Sequence, residues 1–396
     1  MPDIGALAKG LQEQLVQWRR EFHQCPELKM DTPLTSSKIE RILREIGITD
    51  IRTDVGGKGV CCTIHGAEEG KCLGIRADCD GLPVREETGL SFASVNGNMH
   101  ACGHDAHTAM ALGAAKIIFE HRDELRGRVK MIFQPYEEGA GGADAMIADG
   151  VLENPHVDGM IALHTGNIMG KEFCSGDVCC HPEVSSFASC SFDITFQGKS
   201  THVCSPQLGA DPVLAACTAA VQLQMLMNKE REPSQPAVIA VSMVHGGERY
   251  NIIPDSCRIG GSIRAVSKEA LDRYVRRVVE ICESAAASMG CSIGTVEYPV
   301  KVYPVMNDSG MVKKFYAAAE KIVSPEHIRT IRQIPPMGED FSWYSLVCPS
   351  VYFYHCTAFG DERDYPHHNS KFNIDESNLW SGTGILAQFA FDWQKT

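Results

Sequence analysis

The sequence predicts an α/β protein: a helix-covered, mostly parallel sheet into which a ferredoxin-like α+β domain is inserted. Three observations carry this reading. Short apolar runs alternate with helix-length segments through residues 1–184 and again from 298 to 396, the order that buries a parallel sheet between helices. Between residues 185 and 297 the pattern changes to strand, helix, strand, strand, helix, strand, the split βαβ arrangement of ferredoxin-like folds. The length, 396 residues, exceeds a usual single domain, so one large core and a second domain are expected.

Each element has its own warrant. Leu11, Leu15, Trp18 and Phe22 recur at helical spacing, predicting one amphipathic helix that ends near His23. A second helix over 33–45 presents Ile39, Ile42 and Leu43 on one side, and Gly47 is placed to stop it. Strands are expected over 60–65 and 72–77, the latter closed by Asp78 and Asp80. Ala106, Ala109, Met110, Leu112, Gly113 and Ile117 make the next helix small and apolar on most sides, hence buried. A strand at 129–133, a helix at 142–148 and a strand at 160–163 follow. In the insertion, strands are expected at 187–196, 237–244, 257–265 and 292–298, with helices at 211–228 and 268–288. The chain then returns through a helix at 310–322, a strand at 351–355, a loop carrying His368 and a closing helix at 376–391, with Asp375 as its candidate cap.

A net charge of −13 without any basic run argues against a nucleic-acid partner. The first twenty residues lack the apolar centre of a signal peptide and no eighteen-residue apolar stretch follows, so a cytoplasmic protein with no membrane partner is expected. Seventeen cysteines, two pairs of them sequence neighbours (Cys61-Cys62 and Cys179-Cys180), make a poor disulfide framework. They read as reduced thiols, most of them small core hydrophobes.

Residues 98–115, NMHACGHDAHTAMALGAA, crowd a cysteine, histidines and an aspartate at the start of the buried helix. Thiolate and imidazole suit zinc and its first-row neighbours, and Cys102-x-His104 can fold around one ion or a pair. A His-rich turn can also be merely solvated, so the weight comes from elsewhere. Glu137-Glu138 end a second apolar run, His164 ends a third, and His368 sits in a loop near the C-terminus. Metal-capable residues at strand ends fit the rule that α/β sheets build sites beyond the carboxyl ends of their strands. There is no G-x-S-x-G elbow to suggest a serine nucleophile.

The motifs stand in a recognisable order: Arg19-Arg20-Glu21-Phe22-His23 with Pro26-Glu27-Leu28, Arg76-Ala77-Asp78 with Asp80, and His100-Ala101-Cys102-Gly103-His104-Asp105. Phe133-Gln134-Pro135 before Glu137-Glu138, Ala162-Leu163-His164, Gly198 with His202, Asn251-Ile252-Ile253-Pro254 and Gly338-Glu339-Asp340-Phe341 follow. In these the chain resembles the M20 metallopeptidase family, in its branch of N-acyl-amino-acid amidohydrolases. The resemblance implies a catalytic domain of residues 1–184 and 298–396 and an inserted lid or dimerisation domain at 185–297. It implies two divalent ions, zinc or manganese with cobalt also suited, held by Cys102, His104, Glu138, His164 and His368. Glu137 matches the general base, and His202 matches the histidine brought from the inserted domain to stabilise an oxyanion. Lys199-Ser200-Thr201 is less glycine-rich than the family's usual approach to that histidine. Asn251 and Arg264 match positions that hold the substrate's amide or carboxylate, although a strand arginine such as Arg264 is as readily a surface residue. Asp78 is expected to support a ligand or to be an ordinary loop acid, and Asp105 and His107 to support ligands or cap the helix.

The expected activity is hydrolysis of the amide bond of a small N-acyl-amino acid to a carboxylic acid and a free amino acid, in a homodimer. The alternative on the same metals is a dipeptidase or carboxypeptidase. A catalytically silent scaffold would have lost the base or a ligand, and this chain keeps every candidate.

Overall fold

A computed structural model describes residues 2–393 apart from Met169, Arg332 and Pro336. The chain divides into two compact units, one of Met1–Ser185, Val305–Pro335 and Asp340–Thr396, the other of Ser186–Pro304 and Pro336–Glu339.

The first unit opens with α1 (Ile4–Gly10) and α2 (Gln12–His23), where the sequence predicted one helix. Asp3 caps α1 by accepting the Ala6 amide, and the break falls at Gly10-Leu11, where glycine weakens helix propagation. α3 (Pro33–Ile46) ends at Gly47, whose φ of 105° is the left-handed C-cap expected of it. The chain then forms β1 (Ile51–Val55), β2 (Gly59–His65), β3 (Glu68–Asp78), α4 (His104–Glu120), β4 (Arg126–Gln134), α5 (Gly142–Ala148), β5 (Gly159–Gly166) and β6 (Val178–Cys179). β1 was missed because its middle residues, Arg52, Thr53 and Asp54, are exposed and carry no apolar alternation.

In the second unit the chain forms β7 (Ala188–Gln197), β8 (Thr201–His202), α6 (Pro212–Glu230), β9 (Ala237–His245), β10 (Ile252–Ile253), β11 (Ser256–Ala265), α7 (Lys268–Ser288), β12 (Ser292–Glu297) and β13 (Lys301–Val302). Its main sheet runs β12-β7-β11-β9, the antiparallel order that a βαββαβ chain takes in a ferredoxin-like fold. Asp211 and Ser267 cap α6 and α7. β8 and β10 form a separate two-stranded ladder in which His202 faces Ile252.

Returning to the first unit, the chain forms α8 (Ser309–Ala319), α9 (Ser342–Ser345), β14 (Ser350–Cys356) and α10 (Leu379–Trp393). Asp375 caps a 3-10 turn at Glu376–Asn378 that leads into α10. The sheet order is β1-β2-β4-β3-β5-β14-β6. Its four central strands, β4, β3, β5 and β14, are mutually parallel, and antiparallel pairs flank them. Leu73, Ile75, Val129, Met131, Ile161 and Phe353 face one side and join α4 and α10 in a single core. α4 can be buried on nearly every side because it is small: a Cβ on Gly113 would lie 2.5 Å from Leu15 and 2.9 Å from Thr383. Each fully buried large aliphatic chain in this core, Leu112 among them, stabilises the fold by about 1.5–3 kcal/mol. The consequence is a rigid N-terminus for α4, set against the carboxyl ends of the parallel strands. Among the described residues no helix is long and apolar enough to cross a membrane.

Candidate metal centre

Four segments leave the carboxyl end of the sheet toward one place. β3 ends at Asp78 and runs on to Asp80; the turn before α4 carries Cys102, and His104 opens the helix. Gly103 between them has φ 88°, a left-handed bend that lets both neighbours face the same way. β4 runs through Tyr136, also left-handed at φ 60°, into Glu137-Glu138. β5 contributes His164, and the segment after β14 contributes His368, whose φ of 66° is a strained left-handed conformation of the kind that collects at functional sites.

Asp80 fixes this arrangement. Its Oδ1 accepts the Glu137 amide at 3.1 Å and its Oδ2 the Glu138 amide at 3.2 Å. Its main-chain carbonyl accepts from His104 Nδ1 at 3.0 Å. With Nδ1 engaged, His104 presents Nε2, which is buried without a hydrogen-bond partner. That nitrogen lies 3.7 Å from Asp78, 4.0 Å from Glu137 and 3.9 Å from Glu138. His164 likewise spends Nδ1 on the Thr165 carbonyl at 2.8 Å, leaving Nε2 3.5 Å from Cys102 Sγ. His368 Nε2 lies 3.4 Å from Glu138 Oε1. Ligand atoms of Cys102, Glu138 and His368 fall within 4.8 Å of one another, as do those of His104, Glu137 and Glu138. The structure thus gathers Cys102, His104, Glu138, His164 and His368, with Glu137 beside them.

His107 is close by but has no lone pair to give. Its Nε2 accepts the Thr165 amide at 2.8 Å, so Nδ1 carries the proton and donates to Asp78 Oδ1 at 2.5 Å. Asp78 is further held by Arg76 at 2.8 Å, and Arg76 also reaches Gln134 and Asp340. Asp105 is turned away from the centre and binds Arg19 at 2.9 Å and His23 at 2.7 Å.

The electrostatics ask for a cation. Burial pushes the Cys102 thiol well above its ordinary value, and Glu138 and Glu137 add to that. Burial works against charging His104, yet Asp78 and Asp80 outweigh it and raise the imidazole to about 10. Burial also lowers His164, with neighbouring imidazoles adding to the effect, so it is neutral. A buried thiol, imidazole nitrogens without partners and a surplus of carboxylates form a donor set that fits divalent first-row metals. His104 and Cys102 keep their protons only where no ion takes their place.

His202, Asn251 and Arg264 belong to the second unit. His202 and Asn251 are brought together where β8 meets β10, and the Val203 amide donates to the Asn251 carbonyl at 3.2 Å. His202 Nδ1 accepts the Cys204 amide at 3.1 Å, which places the proton on Nε2 and makes that exposed nitrogen a donor. Arg264 lies on β11 and is half-buried, with no hydrogen-bond or ion-pair partner among the described residues. Asp80 is the residue whose role was not legible from sequence; its two-residue spacing from Asp78 was the available signal.

The model of peptidase family M20/M25/M40 matches residues 74–392. The chain is 33% identical over 382 residues to an N-acetyl-L-cysteine deacetylase of Bacillus subtilis (strain 168), covering 96% of this chain and 88% of that protein. It is 31% identical over 399 residues to an Arabidopsis thaliana IAA-amino acid hydrolase, ILR1-like 5, covering 97% and 88%. A crystal structure of a dinuclear metal-binding M20 peptidase from Bacillus subtilis superimposes with a TM-score of 0.82 at 30% identity, covering 98% of this chain and 99% of that one. The chain belongs to peptidase family M20.

Proposed function

We propose that this chain is a metal-dependent amidohydrolase that cleaves N-acyl-amino acids to a carboxylic acid and a free amino acid. The observation that carries the reading is the division of the acidic pair. Glu138 has a carboxylate oxygen within ligand distance of both the Cys102–His368 group and the His104 group, while Glu137 joins His104 but not Cys102 and His368. Cys102, His104, Glu138, His164 and His368 would hold two divalent ions, and the thiolate favours zinc, manganese or cobalt over magnesium or calcium. When bound, such ions supply Lewis acidity toward an amide carbonyl and lower the pKa of water toward neutrality.

The remaining work falls to the chain's own residues. Glu137 takes a proton from the attacking water at its carboxylate and delivers it to the leaving nitrogen. His202, with its proton on Nε2, donates to the oxyanion of the tetrahedral intermediate. Arg264 has its guanidinium available for the substrate carboxylate, and Asn251, next to His202, for the amide. A reducing, cytoplasmic setting would keep the Cys102 thiol competent.

We further assign the second unit as lid and dimerisation domain. β9 is the edge of its sheet and exposes Val238, Met243 and Val244, while α6 exposes Leu214, Val221 and Met225 on one face. An unpaired edge beside an apolar helical face suits pairing with a second copy. The activity is tested by offering the zinc- or manganese-loaded protein a panel of N-acyl-amino acids, including a hippurate-like acyl glycine, beside dipeptides with a free amine. Release of amino acid from the acylated panel is expected. Cleavage of the free-amine dipeptides alone would move the assignment to a dipeptidase.

A further inference from the structure

His367 stands one residue before the candidate ligand His368. Its residue surface is only partly covered, but both ring nitrogens are buried from water and neither reaches hydrogen-bond geometry with the protein. One of them leans toward the Cys102 backbone. The ring packs on Phe372 at 4.5 Å and on His164 at 5.3 Å between centroids, which accounts for a buried ring but not for a ring nitrogen left without a partner. Buried polar atoms without partners are uncommon and costly, and an unplaced ion is one of the standard reasons for them.

Two further observations say where the lone pair goes. A ring nitrogen of His367 lies within 4.8 Å of the ligand atoms of both Cys102 and His164. Gly166, two residues beyond His164, has φ 123°, and a Cβ there would lie 2.2 Å from His367 Nε2 and 2.4 Å from Cε1. The end of β5 therefore leaves a recess that the imidazole edge occupies. Neighbouring side chains on an extended segment point to opposite sides. The left-handed φ of 66° at His368 breaks that alternation and lets both histidines reach Cys102.

We propose that His367 is a ligand of the ion that Cys102 and His164 would hold, while His368 would serve the ion on the Glu138 side. This rests on the dinuclear reading above and adds an imidazole to it. The ion nearer His164 would then have three protein donors, Cys102, His164 and His367. The ion nearer Glu138 would be tied to the half-exposed His368 and so be the more readily exchanged of the two.

The test uses the full chain loaded with cobalt or zinc. X-ray absorption of the cobalt form should require four imidazoles for the pair of ions, from His104, His164, His367 and His368; a fit needing only three overturns the proposal without any variant. In equilibrium dialysis, His367→Gln, which keeps a polar side chain of similar length, should weaken one of the two ions by ~10-fold or more and shift the thiolate-to-cobalt absorption. His327→Gln, at a half-exposed histidine whose Nδ1 lies 2.8 Å from the buried Asp177 carboxylate, serves as the control that keeps both ions. Retention of both ions by His367→Gln at wild-type affinity, with an unchanged cobalt spectrum, makes His367 a packing residue and overturns the proposal. Failure of the unmutated chain to bind any ion overturns the dinuclear reading itself, which separates the two failures.

Discussion

The Asp80 carboxylate holds the Glu137 amide at 3.1 Å, and its other oxygen holds the Glu138 amide at 3.2 Å. One buried side chain thus aims the proposed general base and a proposed ligand together, while its carbonyl sets the tautomer of His104. Asp80→Asn keeps the size but leaves only one acceptor oxygen, so one of the two amides loses its partner. Metal affinity should fall ~10- to 100-fold, the range seen when a group orienting a ligand is removed, and turnover should fall with it. Dialysis and kcat measured on the same preparation check this; an Asp80→Asn protein with wild-type values of both would assign Asp80 to folding alone.

Glu137→Gln and Glu138→Gln should part company. The first removes a proton carrier and is expected to lower kcat by a factor of roughly 100 or more with both ions retained. The second replaces a charged donor whose carboxyl is buried, a burial that His368 and His104 outweigh to hold it below the usual range; it should lose metal first and activity as a result. Metal content by mass spectrometry decides. Equal metal loss in the two variants would remove the distinction between base and ligand.

How far the sequence could be read follows from what kind of signal each feature leaves. The parallel centre of the first sheet and the βαββαβ order of the second unit were legible because apolar runs and helical spacing are local. β1, β6, β8, β10 and β13 were not: they are short, or exposed like β1, and are defined by partners far along the chain. The ligand candidates were legible because cysteine, histidine and paired acids at strand ends are chemically conspicuous. The state of each imidazole was not. His104 and His107 lie three residues apart on one helix with similar neighbours. Only the Thr165 amide at 2.8 Å shows that His107 has both nitrogens engaged, whereas His104 keeps one unpartnered. Asp80 and His367 were hidden for the same reason, since their roles reside in contacts with residues 57 and 265 positions away.

Metal affinity should rise with pH. In the metal-free chain the Cys102 thiol is held well above its ordinary value by burial and by Glu138 and Glu137. His104 is raised to about 10, burial opposing and Asp78 and Asp80 prevailing. Both therefore carry a proton at neutral pH that ligation must expel, so binding is favoured as pH rises toward these values and opposed as it falls. Calorimetry in buffers of different ionisation heat should report proton release on loading at pH 7, and a chelator should strip the protein faster at pH 6 than at pH 8. Bound metal should also protect Cys102, mapped by peptide analysis among the seventeen cysteines, from alkylation. An affinity flat between pH 6 and 9, with no protection, would remove Cys102 from the ligand set.

Mixing inactive variants shows which chain supplies the proposed oxyanion donor. His202 lies in the second unit, whereas Glu137 and every ligand candidate lie in the first. A second-unit dimer built on β9 and the α6 face that exposes Leu214, Val221 and Met225 would allow each His202 to serve the other chain. His202→Ala and Glu137→Gln should each be inactive alone. If the partner's His202 completes the site, a mixed dimer has one centre with both groups intact, namely that of the His202→Ala chain. Random one-to-one mixing should then restore about a quarter of wild-type activity, since half the dimers are mixed and half the sites in each are whole. If His202 acts within its own chain, no site in the mixture holds both groups and mixing restores nothing. Val221→Glu, which puts a charge into the α6 stripe, should separate the copies in sedimentation and lower activity only in the first case. A chain that sediments as a monomer, with His202→Ala fully active, would remove both the dimer and the oxyanion role.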